Sequence, residues 1–508
     1  MSLRFFMAPA LAGLLSLATI MLATPTRAQS AKAAGSLEEL RAQIEQHIRQ
    51  PRFDGALWGI KIASLATGKT IFESHADRLM SPASNSKLYA AALALDTLGG
   101  DYQFVTPILA TAKTDPAGVL RGDLIISGRG DPSWKATNFW DNFTPFIEVL
   151  AKAGVRRVTG DLIADNTFFK APMAGSGWCA EDLEDSEGAE ISALTLADNT
   201  IQMVITPDKT LAAPGQTTPL PPETGLVFIN RTTTIAAGGK KHLEVRKPLG
   251  AKVIYILGEI PAGTPPEILD IPVPQPGAWF GAALKTALAR QGISVWGKVR
   301  CIAWPELAPW PQGGLIKLGE VKSPPLRSLI RAFMKPSQNL ETDLVFNHTG
   351  EVLRAKEAPP WQTSEQAAVA ALETWLAAKD IPADLHFDEG SGLSRNNLTS
   401  ANATVALLSR MTTNRWAQDY FETLPIAGVD GTLRRRMKNT PAYQNVHAKT
   451  GTLRWVNALS GYVTTAAGER LVFSLMLNRY EPPADRKRTD ELDAIAVRLA
   501  GFTGHTND

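Results

Sequence analysis

The sequence predicts an α/β domain interrupted by a long, mostly β insert. Three observations carry that prediction. Helix and hairpin patterns stand at the front, short β-rich runs fill residues 101–310, and helices and strands return at the back. At 508 residues there is room for about three domains. A hydrophobic content of 44% and a charged content of 20% are globular values and exclude long disorder.

Met1 to Ala28 reads as a secretory signal. Arg4 is its charged start, Phe5 to Ala23 its apolar run, and Thr26-Arg27-Ala28 its processing site, with cleavage before Gln29. An uncleaved anchor is the alternative, since about 19 apolar residues just span a bilayer. The processing pattern favours cleavage, so the mature chain is expected to be exported, with at most peripheral membrane contact. Residues 1–28 carry two arginines and no acid, which leaves 50 basic against 50 acidic residues in the rest. That balance excludes nucleic acid as the main partner. Two cysteines, Cys179 and Cys301, are too few for a disulfide-dense scaffold or a Cys-rich metal site, and their pairing is left open.

Ser36-Leu37-Glu38-Glu39 is a capping box, followed by Leu37, Leu40, Ile44 and Ile48 at helical spacing and a stop at Pro51. Trp58 to Leu65 and Thr70 to Ser74 form a hairpin about Ala66-Thr67-Gly68. A second helix starts near Ser84, with Leu88, Ala91, Ala92, Leu95 and Leu98 as its buried stripe and Gly99-Gly100 as its end. In the insert, strands are expected at 124–126, 158–163, 201–205, 226–229, 253–257 and 293–299. The chain closes with strands at 458–464 and 471–477 and a helix marked by Leu492, Ile495 and Leu499. The organisation is therefore a signal over 1–28, one domain from 29–100 with 311–508, and an insert of one or two modules over 101–310.

Three short motifs carry chemistry. In Ser84-Asn85-Ser86-Lys87, a hydroxyl and an amine three residues apart share a helix face at a helix start. A lysine of depressed pKa can then activate the serine. Ser337-Gln338-Asn339 offers a proton relay and an amide, but Ser394-Arg395-Asn396 and Ser400-Ala401-Asn402 have the same spacing, and spacing does not choose among them. Lys449-Thr450-Gly451-Thr452 precedes a strand pair. There an edge strand offers N–H groups to an extended substrate, glycine allows close approach, and lysine offers charge to a carboxylate.

The order Ser-x-x-Lys, Ser-x-Asn, Lys-Thr-Gly resembles the signature set of penicillin-recognising serine enzymes. The surrounding segments Pro82 to Lys87, Gly128 to Pro132, Asp388 to Arg395, Ile426 to Leu433 and His447 to Val463 sharpen the match. They resemble the D-alanyl-D-alanine carboxypeptidase/endopeptidase family, the class C low-molecular-mass penicillin-binding proteins of peptidase family S13. The resemblance runs from about residue 35 to 500, and a long insert between the first two motifs belongs to it. It places Ser394 in a separate family segment and so selects Ser337 and Asn339. Gln338 stands where members often carry Asp.

The resemblance implies a periplasmic serine DD-peptidase acting on peptidoglycan stem peptides, with a transpeptidase-like domain of antiparallel sheet flanked by helices. It implies Ser84 as nucleophile, Lys87 as base, Ser337 as proton relay and Lys449 as electrostatic support. Asn339 would hold the acyl side chain, Thr450 the terminal carboxylate, and Gly451 the close approach of substrate. The N–H groups of Ser84 and Thr452 would form the oxyanion hole. β-Lactams would be covalent inhibitors; no cofactor and no metal are expected, and no oligomeric state follows. A β-lactamase-like hydrolase and a non-catalytic cell-wall binding protein are the alternatives.

Several other patterns are weaker. Gly68-Lys69-Thr70 lacks the upstream glycine of a phosphate loop, since Ala63 occupies that place. Arg121-Gly122-Asp123 and Arg129-Gly130-Asp131 read as turns. His348 and Glu351 have the spacing of zinc carboxypeptidase ligands, but no His-Glu-x-x-His accompanies them.

Overall fold

Strand pairs from opposite ends of the chain build one sheet. In a computed structural model, residues 33–137, 139–172, 174–221, 225–248, 251–306, 314–382 and 385–506 are described. The expected signal over 1–28 lies outside them. Strands β1 (Leu57–Ser64) and β2 (Thr70–Ser74) are the expected front hairpin. Strands β3 (His447–Leu453), β4 (Val456–Thr464) and β5 (Arg470–Asn478) come from the back. The order is β3-β4-β5-β1-β2, and every neighbouring pair is antiparallel.

The period-2 pattern of β5 explains the layering. Leu471, Phe473, Leu475 and Leu477 enter the core shared with α1 (Leu37–Ile48) and α5 (Asp490–Ala500). Val472 faces the core beneath α2 (Ser86–Thr97) and α4 (Ala401–Met411). Each large apolar side chain so buried contributes roughly 1.5–3 kcal/mol, which welds the late strand to the early one.

Local chemistry sets the helix ends. Ser36 accepts from the Glu39 N–H at 3.2 Å, as a capping residue should. The return bond differs from expectation: the Glu39 carboxylate reaches the Gly35 N–H at 2.7 Å rather than Ser36. Helix α2 also departs from its expected single stripe. It is buried on all sides from Ser86 to Leu95, because sheet and helices enclose it. It ends where Gly99 takes φ +91°, a conformation a β-carbon resists.

The insert holds a five-stranded mixed sheet of Val299–Ile302, Leu162–Asp165, Leu124–Ser127, Val105–Ala110 and Ile316–Lys322, in that order. Among the described residues three small three-stranded sheets accompany it. Two expected runs split. Residues 158–163 become Arg157–Val158 and Leu162–Asp165, and 293–299 become Ser294–Val295 and Val299–Ile302. Two helices unforeseen from the pattern, Thr144–Lys152 and Pro276–Arg290, pack on the mixed sheet. Their apolar residues, such as Phe146, Phe280 and Leu284, join the insert core. Strand Ile316–Lys322 lies beyond residue 310 yet pairs with Val105–Ala110. Cys179 and Cys301 are free thiols, and burial pushes Cys301 up to about 11.

Gly461 of β4 lies opposite Ala448 of β3. A β-carbon there would sit 2.1 Å from the His447 carbonyl oxygen. Gly461→Ala is expected to strain the β3–β4 pair by roughly 1–3 kcal/mol and to lower the melting temperature measured by circular dichroism. An unchanged melting temperature would show that the strand pair yields without strain.

Candidate active site

Ser84 lies in a 3-10 turn, Ala83–Asn85, that feeds directly into α2. The turn is pinned to the sheet by the side chain of Asn85, whose Nδ2 donates to Ser460 Oγ at 2.7 Å. Ser460 in turn bonds Ser474 Oγ at 2.9 Å, which joins β4 to β5 beneath it. On the other side β3 comes into backbone contact. A β-carbon on Gly451 would lie 2.4 Å from the Pro82 carbonyl oxygen, so only glycine fits there.

Lys87 is fully buried in the first turn of α2. Its Nζ lies 3.1 Å from Ser84 Oγ, 2.6 Å from Asn339 Oδ1 and 2.6 Å from the Ser391 carbonyl oxygen. Burial lowers its pKa to about 8, against the opposing pull of Asp343, Glu389 and Glu187.

Ser337 holds a left-handed backbone, φ +73°, unusual outside glycine, just before α3 (Asn339–Val352). Its Oγ accepts from Lys449 Nζ at 2.7 Å, and the same amine donates to the Thr450 carbonyl at 2.9 Å. Lys449 is fully buried and held well below the ordinary lysine range, first by desolvation and then by nearby Lys87. Thr450 Oγ1 lies 2.7 Å from Thr432 Oγ1. Ser84, Ser337, Asn339, Thr450 and Thr452 line one open cleft of about 550 Å³. Gly451 packs behind it.

All eight residues singled out from the motifs therefore converge. The competing Ser-x-Asn serines do other work. Ser394 Oγ accepts from the Asn396 N–H at 3.2 Å, and Ser400 caps α4 by accepting from the Ala403 N–H at 3.0 Å. His348 is also engaged. Its Nδ1 donates to the Arg129 carbonyl and its Nε2 accepts from the Tyr102 hydroxyl, both at 2.7 Å. Glu351 pairs with Arg354. Among the described residues no cluster has the make-up of a metal site.

Residues outside the motifs complete the arrangement. Glu389 is fully buried and accepts from the N–H groups of Ser391 at 2.7 Å, Gly392 at 2.8 Å and Ser394 at 3.2 Å, and from Asn397 Nδ2 at 2.9 Å. That wrapped carboxylate shapes the loop whose Ser391 carbonyl reaches Lys87. Gly392 in this loop takes φ +84°, and a β-carbon would meet the Ala83 carbonyl oxygen at 2.0 Å. Asp343, one turn beyond Asn339, accepts from the Gly390 and Ser391 N–H groups at 3.0 and 2.9 Å. Burial and the neighbouring Glu389 hold its carboxyl well above the usual range.

Both ends of the Asn339 amide are occupied by protein. Its Nδ2 donates to the Glu187 carbonyl at 3.0 Å and to the Glu187 carboxylate at 2.9 Å. Glu187 comes from the insert and lines the same cleft. No motif marks it; it stands in an acidic stretch, Glu181 to Glu190, that reads as a solvated surface.

Comparison with known proteins accords with this geometry. The model of the D-Ala-D-Ala carboxypeptidase 3 (S13) family matches residues 40–499. A D-alanyl-D-alanine carboxypeptidase of Actinomadura sp. (strain R39) is 34% identical, over 96% of this chain and 89% of its own. The D-alanyl-D-alanine carboxypeptidase DacB of Haemophilus influenzae is 26% identical over 84% and 86%. The crystal structure of penicillin binding protein 4 (dacB) from that organism superposes with a TM-score of 0.76 at 26% identity, covering 90% of this chain and 97% of that one. A further structure of it, complexed with a β-lactam, matches with a TM-score of 0.71. With motifs, fold and family model in agreement along nearly its whole length, the chain belongs to the D-Ala-D-Ala carboxypeptidase 3 (S13) family.

Proposed function

We propose that Ser84 is the acylated nucleophile of this serine-type D-Ala-D-Ala carboxypeptidase and Lys87 its base. The observation that carries the assignment is the threefold surrounding of the Lys87 amine. A neutral amine has two N–H bonds and one lone pair. The two short contacts, to Asn339 and Ser391, take the N–H bonds, which leaves the lone pair for the Ser84 hydroxyl proton. With a pKa near 8 a useful fraction of Lys87 is neutral at working pH.

In this reading Ser84 attacks the carbonyl between two D-alanines of a peptidoglycan stem peptide. The N–H groups of Ser84 and Thr452 receive the oxyanion; donors of this kind are worth roughly 2.7–4 kcal/mol each. The proton taken by Lys87 reaches the leaving amine through Ser337, whose hydroxyl is oriented by Lys449. Lys449 and Thr450 meet the terminal carboxylate. Asn339 fixes Lys87 through Oδ1 and reaches the acyl side chain when its Nδ2 gives up the Glu187 carbonyl, keeping its bond to the Glu187 carboxylate. A β-lactam enters the same acylation step. Hydrolysis of free termini and of cross-links follows from one acyl-enzyme released by water.

The same reading takes the catalytic domain as 29–100 with the chain after about 322, since strand Ile316–Lys322 pairs within the insert sheet. It places the mature chain in the periplasm with at most peripheral membrane contact. The expected signal supports this, and among the described residues no helix is long and apolar enough to cross a membrane.

Ser84→Ala is expected to abolish the intact-mass shift produced by benzylpenicillin, and labelling that persists on another serine would overturn the assignment. Acylation should rise about tenfold per pH unit below the Lys87 pKa of about 8 and level off above it, because only the free amine accepts the Ser84 proton. Lys87→Arg, charged at any working pH, should acylate roughly 100-fold or more slowly; stopped-flow acylation by a chromogenic cephalosporin measures both. Thr450→Val should impair release of terminal D-alanine from a free pentapeptide more than cleavage of cross-links in purified sacculi. Equal losses, followed by chromatography of both products, would remove the carboxylate role.

A further inference from the structure

Glu187 reaches the catalytic cleft from outside the three motifs. It sits in a one-turn segment of the insert, Ser186–Gly188, whose register is set by Asp185 accepting from the Glu187 N–H at 3.1 Å. One carboxylate oxygen, Oε2, is fixed by Asn339 Nδ2 at 2.9 Å. Asn339 Oδ1 is bound to Lys87 Nζ at 2.6 Å, and Lys87 Nζ lies 3.1 Å from Ser84 Oγ. The carboxylate is thus tied to the nucleophile through two side chains. The other oxygen, Oε1, accepts no hydrogen bond from any described residue. Glu187 lines the same cleft as Ser84, so its carboxylate has an unengaged acceptor within the space that the acyl group and its attacking water share.

From this arrangement we infer that Glu187 is the general base of deacylation, activating the water that releases the acyl group from Ser84. The inference rests on the assignment of Ser84 as the acylated residue. Water oxygen bonds to the acyl carbon while Glu187 takes one of its protons. The bond from the acyl carbon to Ser84 Oγ then breaks with its electron pair going to Oγ, and the proton held by Glu187 passes to that oxygen. The free acid, the Ser84 hydroxyl and the Glu187 carboxylate are the result, so the step closes without another reactant. The task is separate from that of Lys87, which serves the attack of Ser84. Penicilloyl-enzyme is open to the same water, so loss of its adduct reports the same step.

The surroundings suit a base. Lys87 on α2, Lys449 on β3 and Asp185 on its own turn are the charges that act on Glu187. The residue is exposed on the cleft and held on its other side by Asn339. Desolvation, against the pull of the two lysines, holds its pKa above the ordinary glutamate value.

The test separates the two half-reactions in the full chain. Benzylpenicillin acylates wild type and Glu187→Gln, excess ligand is removed, and intact mass follows loss of the adduct. Glu187→Gln is expected to lengthen the adduct lifetime roughly 100-fold, the usual scale of a general base, with the adduct on Ser84 still formed and read as the same mass shift. A lifetime extended by less than tenfold would overturn the inference. Should Glu187→Gln fail to acylate, Glu187→Ala is measured in the same way and judged by the same threshold. Failure of wild type to form the adduct at Ser84 would refute the nucleophile assignment instead, so the two failures are distinguishable.

Discussion

The structure turns on a buried amine. A lysine without water around it is tolerated only where oxygen atoms receive its protons. Lys87 meets three of them from three separate places: the Ala83–Asn85 turn, helix α3 and the 389–394 loop. Each place has its own support. Asn85 holds the turn through Ser460, the N-terminal position of Asn339 aims its amide, and Glu389 winds the loop about its carboxylate. The acids behind Lys87 temper the desolvation, so the amine titrates near neutrality and not far below it. The same requirement explains why glycine recurs where these pieces touch. Gly451 and Gly392 let backbone approach both sides of the Ala83–Asn85 turn, and no side chain fits at either contact.

The insert is more than a spacer between two motifs. Glu187 bonds a motif residue, Ser176 bonds Glu365, and Lys135 pairs with Glu341 on the helix that begins at Asn339. Glu341 is buried and Lys135 partly exposed, so this last pair is screened less than a fully exposed one. Helix α3 is therefore braced from the insert side as well as by its own core.

Much of the site was legible because its chemistry depends on short spacing. Ser84 and Lys87 meet through helical geometry, and Lys449 through Thr452 lie on a single strand. The choice of Ser337 over Ser394 and Ser400 was not a matter of spacing; it came from family resemblance, and the contact with Lys449 accords with it. Asp343, Glu389 and Glu187 were missed for a physical reason. Each acts through tertiary contact, and an isolated acid in a sequence looks the same on a surface as in a core. The insert helices were missed because short apolar runs bounded by glycine and proline do not separate a buried helix from a strand by periodicity alone. The stripe expected of α2 failed for the related reason that complete burial removes the polar face.

The register of the central sheet bears on how the molecule is made. Leu57 lies opposite Asn478, so the first strand has its inner partner only when nearly all of the chain is available. Pairings of such long range are slow, because a large loop must close before any contact rewards it. A growing or truncated chain carries Ser84 and Lys87 early but has neither the strand bearing Lys449 nor the sheet against which the nucleophile turn rests. Assembly order thus acts as a safeguard: competence to cut comes last, after the insert has had time to fold on its own neighbouring strands.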